Sequence, residues 1–184
     1  MKKVIASLVA LLGFGSQSQA AATQPLQEKD VMAGLRQMAL DLKPEEIGLN
    51  RSNFPKEAWG LLFETANTSG TYTLVVLADG TASLYFSNGG GIIGAGQHES
   101  VRKASANLLA GANQFYSSAT RVSEFPMPEA GFSNFYFLTY GGVFRYGAKE
   151  IDLGEGRDKF SDLFHAAHYV IGQLREIEQK KHNK

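Results

Sequence analysis

The 184 residues balance 18 basic against 18 acidic side chains, which removes the electrostatic case for binding nucleic acid or an anionic membrane surface. The chain has no cysteine, and with it go disulfides, thiol chemistry and acylation in the manner of a bacterial lipoprotein. Stability has to come from a packed core.

Lys2 and Lys3, the apolar run from Val4 to Phe14 and the small-residue sequence Ser18-Gln19-Ala20 have the three-part pattern of a secretory signal. The apolar run is about half the length a membrane span needs, so no stable membrane anchor is expected after cleavage. The expected organisation is a signal peptide over 1–20, a flexible N-terminus over 21–27, one domain over 28–178 and a basic C-terminal tail over 179–184. Loss of Lys2 and Lys3 leaves 16 basic against 18 acidic residues, formally −2. About 164 residues suit a single core. The expected location is periplasmic or secreted.

From Glu28 the apolar positions Val31, Leu35, Met38 and Leu42 recur at helical spacing, and Pro44 ends that helix. Residues 58–65 alternate, with Trp59, Leu61 and Phe63 expected on one side. After the turn 67–70, residues 72–78 are apolar on both faces, as in a central strand covered from both sides. Asp79-Gly80 is a hairpin signal, so the strand over 81–87 runs antiparallel to its predecessor. A helix from His98 or Glu99 to about Tyr116 carries Val101, Ala104, Leu108, Ala112 and Phe115 on one stripe. Residues 135–140 and 143–146 flank Gly141-Gly142 as a second hairpin, with Arg145 expected exposed or at an edge. A last helix over 158–177 has the stripe Phe160, Phe164, Ala167, Ile171 and Leu174. This order predicts an α+β domain with a mainly antiparallel five-stranded sheet and helices on both faces, like profilin and roadblock domains in general architecture.

The densest signal is the glycine run. Five glycines fall within residues 89–96, an entropy cost tolerated where the backbone needs positive φ or close approach. Gly89, Gly91 and Gly94 match the letters of G-x-G-x-x-G between a strand and a helix, yet the hairpin before them is antiparallel, so the βαβ unit of a dinucleotide site is missing. Two readings follow: a structural crossover, or a loop that recognises a ligand or partner. The candidate binding residues are Ser87, Asn88, Gly89, Gly90, Gly91, Gly94, Gly96, His98 and Glu99, with Arg157 as an anion-holding side chain. Ser87 and His98 also suggest a nucleophile and base, though no G-x-S-x-G elbow is present. His165 and His168 share a helix face without the further ligands a metal requires. No cofactor or metal is expected.

The segments Trp59-Gly60-Leu61-Leu62, residues 78–94 with the pattern ADGTxSLYFSxGGGxIG, Gly96-Gln97-His98-Glu99-Ser100-Val101, Leu153-Gly154-Glu155-Gly156-Arg157 and Leu163-Phe164-His165-Ala166-Ala167-His168 together resemble a family of bacterial proteins without an assigned activity. The resemblance spans residues 59–171 and carries over no catalytic residue. Many members lack an export signal, which this chain is expected to have. The expected function is binding of a protein or small ligand by an exported protein with no chemistry of its own. The alternatives are an envelope hydrolase using Ser87 and His98, and a protector against an envelope-targeting toxin.

Overall fold

The first helix, α1 (Glu28–Asp41), covers one face of a sheet, and two later helices cover the other. The computed structural model describes residues 28–182; the expected signal sequence and the segment 21–27 lie outside them. The strands are β1 (Ala58–Asn67), β2 (Gly70–Leu77), β3 (Ala82–Phe86), β4 (Gly91–Ile92), β5 (Thr120–Val122), β6 (Phe132–Thr139) and β7 (Gly142–Lys149). Between β4 and β5 runs α2 (Glu99–Phe115), and after β7 come the short α3 (Glu150–Gly154) and the long α4 (Ser161–His182).

All seven strands pair antiparallel in the order β4-β3-β2-β1-β6-β7-β5. The α+β class and the two covered faces match the sequence expectation; the strand count of five does not. The two additions, β4 and β5, are the sheet's edges and are two and three residues long, too short for hydrophobic alternation to mark them.

One side of the sheet, with Leu61, Phe63, Leu74, Val76, Leu84, Phe135 and Phe137, packs under α2 and α4. The expected stripes of both helices are buried there: Val101, Ala104, Leu108 and Ala112 on α2, and Phe164, Ala167, Ile171 and Leu174 on α4, with Phe160 just ahead of it. Each fully buried large side chain contributes about 1.5–3 kcal/mol over its exposed state. The opposite side, with Leu62, Val75, Leu77, Tyr85, Tyr136 and Leu138, packs under α1 and the segment that follows it.

Trp59 joins this second cluster, across the sheet from Leu61 and Phe63. Its expected side is wrong because the β1–β6 register shifts between Ala58 and Gly60, and an extra residue in one strand reverses the alternation before it. The stripe of α1 is only partly as expected: Leu35, and Leu42 just beyond the helix, pack half-buried against this cluster. Arg36 and Leu40 are its buried residues, while Met38 is 43% exposed. Arg36 turns inward to form an ion pair. Arg36 donates from Nε to Glu64 Oε1 at 2.6 Å and from an Nη to Oε2 at 2.9 Å, and Glu64, in the middle of β1, is fully buried. Glu64 Oε1 also accepts from Thr73 Oγ1 at 2.9 Å, and Arg36 donates to the Phe125 carbonyl at 2.9 Å. Arg145 is half-buried rather than exposed: β5 pairs outside it, and its guanidinium donates to Asn134 Oδ1 at 2.9 and 3.2 Å.

Candidate functional site

The glycine run begins where β3 ends. Ser87 closes the β2–β3 hairpin: its N–H donates to the Thr71 carbonyl at 2.8 Å and its Oγ accepts from Thr71 N–H at 2.8 Å. Gly89 N–H then donates to the Phe86 carbonyl at 3.0 Å, and Phe86 N–H donates to Gly90 at 3.2 Å, turning the chain back on itself with exposed Asn88 at the tip. Gly89, Gly90 and Gly94 hold φ of 105°, 79° and 72°, in the region glycine tolerates best. Gly91 and Gly96 are there for proximity. A Cβ on Gly91 would lie 2.5 Å from the Leu84 carbonyl oxygen, and one on Gly96 would overlap the Gly80 carbonyl. Gly89 faces Glu28 at the start of α1. Each glycine of the run therefore has a backbone reason to be glycine.

His98 is the N-cap of α2, half-buried; its carbonyl accepts from Arg102 N–H at 2.9 Å and its side chain makes no capping bond. Glu99, exposed, pairs one turn on with Lys103 at 2.8 Å. Arg157 lies beyond β7, in the turn before α4, where it pairs with Asp152 at 2.6 Å and with Glu155. Its turn is reached from β7, whereas the glycine run borders β3 and β4 at the sheet's other end.

The Ser87 hydroxyl is engaged by Thr71 and shares no hydrogen bond with His98. His168 is half-buried against the core. Its Nε2 meets Tyr72 Oη at 2.8 Å and its Nδ1 the Phe164 carbonyl at 3.0 Å, amid the rings of Phe63, Phe164 and Tyr72. A carbonyl only accepts, so Nδ1 carries the hydrogen and Nε2 accepts from the tyrosine. Burial holds the imidazole below its usual pKa of 6.5 and favours the neutral ring. His165, on the same helix, is exposed. Among the described residues no three of His, Cys, Asp and Glu gather as a metal site, and no helix is long and apolar enough to cross a membrane.

A groove of about 300 Å³ opens between the end of β3, the edge strand β4 and the C-terminal half of α4. Phe86, Gly91 and Ile92 line it from the sheet, and Arg175, Glu178 and Gln179 from the helix. Of the sequence-derived candidates Gly91 alone lines it. Sequence reasoning missed Phe86, Ile92 and the α4 residues, because only the packing of α4 over β3 and β4 brings them together. It also missed the Arg36–Glu64 pair, although a lone acid in an apolar strand and an arginine beside an apolar helical stripe were legible signals. Among the described residues Trp59 Nε1 and Ser105 Oγ are buried without a hydrogen-bond partner, and neither lines the groove.

Comparison with protein-family models, curated proteins and solved structures found no match to this chain.

Proposed function

We propose that this chain is an exported binding protein whose recognition surface is the groove between the end of β3, the glycine run at β4 and the side of α4 that faces them. The observation that carries the reading is the groove: an apolar floor of Phe86 and Ile92 under a polar rim, set against a strand that is the sheet's edge among the described residues. Concave sites that combine apolar lining with a few polar groups are the usual form of ligand and peptide sites. The glycines permit the tight backbone path that brings this loop against β3 and the Gly80 carbonyl and so shapes the edge of the groove. Export rests on the residue pattern of 1–20, and the resemblance to bacterial proteins without an assigned activity is compatible with a binding role.

A photo-crosslinking residue placed at Ile93, which is 40% exposed on this loop, tests the reading. In a bacterial envelope extract it is expected to capture a discrete partner, while the same residue at Met38, on the α1 side, captures none. Equal labelling from both positions would count against a surface at the glycine run. Labelling of Ser87 by a fluorophosphonate probe, lost in His98→Ala, would replace this reading with the hydrolase.

A further inference from the structure

Resting on the reading of this groove as a recognition surface, we propose that its occupant is the C-terminal end of an extended peptide whose last side chain is apolar. Charge on α4 points to the carboxylate. Glu176 is matched by Lys180 at 3.9 Å and Glu178 by Lys181 at 3.1 Å, whereas Arg175 makes no ion pair or hydrogen bond among the described residues and lines the groove. A guanidinium with its donors uncommitted takes a carboxylate in a bidentate pair.

The size of the site favours a chain end over an internal acid. Cation and apolar floor share one groove of about 300 Å³, and a C-terminal residue carries its carboxylate and its side chain on the same Cα. An internal Asp or Glu would need chain continuing on both sides of the groove, along an edge strand only two residues long. Such an edge supplies few backbone hydrogen bonds to a long added strand, so recognition falls to the terminal carboxylate and the last side chain.

The test uses the chain from residue 21 onward and fluorescein-labelled hexapeptides ending in Leu, Ile, Val or Phe, each as the free acid and as the amide, read by anisotropy. Free acids are expected to bind, and amidation to weaken binding about tenfold or more, the loss of a charge-assisted pair. Arg175→Gln, an exposed substitution, should weaken the free acids equally and remove the difference between acid and amide. Binding indifferent to amidation overturns the proposal, as does saturation by octanoate without binding of any peptide. If the Ile93 crosslinker still captures a partner while no free-acid peptide binds, the groove's occupant is wrong and the recognition surface stands. If neither binds, both fall.

Discussion

Glu64 has no exposed surface and still forms an ion pair, with Arg36, across the interface between helix and sheet. Two buried charges that satisfy each other contribute little net stability, but one left alone costs about 3–5 kcal/mol. Arg36→Met or Glu64→Leu is therefore expected to lower the unfolding free energy by about that amount, and the two together to recover most of it. Urea titrations of the single and double variants measure this, and additive losses would refute it. His168 sets a pH dependence. Its folded pKa is lowered by burial, so the unfolded chain takes up a proton that the folded chain resists. Its contribution is full above the unfolded value of about 6.5 and is lost as pH falls through that value towards the folded one. Thermal melts should decline through this window, and His168→Phe should flatten that decline. An unchanged slope in the variant would assign the acid sensitivity to other groups.

Among the elements, β4 with its flanking turns is where a single Cβ has the largest effect. Gly96 lies against the Gly80 carbonyl, so Gly96→Ala needs one turn to move away from the other; Gly94 faces open space and is constrained only by its φ of 72°. Gly94→Ala is expected to cost about 1–2 kcal/mol, the left-handed penalty for an L-residue, and Gly96→Ala clearly more. Equal melting temperatures for the two variants would contradict this packing. Elements with strong local signals were legible in the sequence: the Asp79-Gly80 hairpin, where Thr81 N–H donates to Asp79 Oδ1 at 2.9 Å, and the buried stripes of α2 and α4. Three features depended on distant partners and were not. The bulge that turns Trp59 over is a property of the β1–β6 pairing, the burial of Arg36 follows from a carboxylate 28 residues away, and β4 and β5 exist only because β3 and β7 offer them an edge. The candidate site divides the same way. Glycines dense enough to mark a constrained loop were visible, but Arg175 reaches the groove only through tertiary packing.

For the whole molecule, residues 28–182 hold both clusters of the core, one on each side of the sheet, so the chain lacking residues 1–20 is expected to fold fully and to stay unexported. A melt matching that of the processed protein, with mass measurement showing that the exported form lacks Met1, checks both parts; an exported protein retaining Met1 would refute the cleavage. The strand order carries a kinetic consequence. β1 to β4 form one meander of near neighbours and β6 with β7 another, while the seam between them joins residues such as Thr65 and Ser133, 68 positions apart and bonded through their hydroxyls at 2.8 Å. Closing so long a loop is the slow step when the remaining pairings are local. Refolding of this chain should therefore be timed by that seam: Phe135→Leu is expected to slow folding, whereas Leu40→Ala, on a helix expected to dock after the sheet has formed, is expected to leave the folding arm of the chevron in place and speed unfolding.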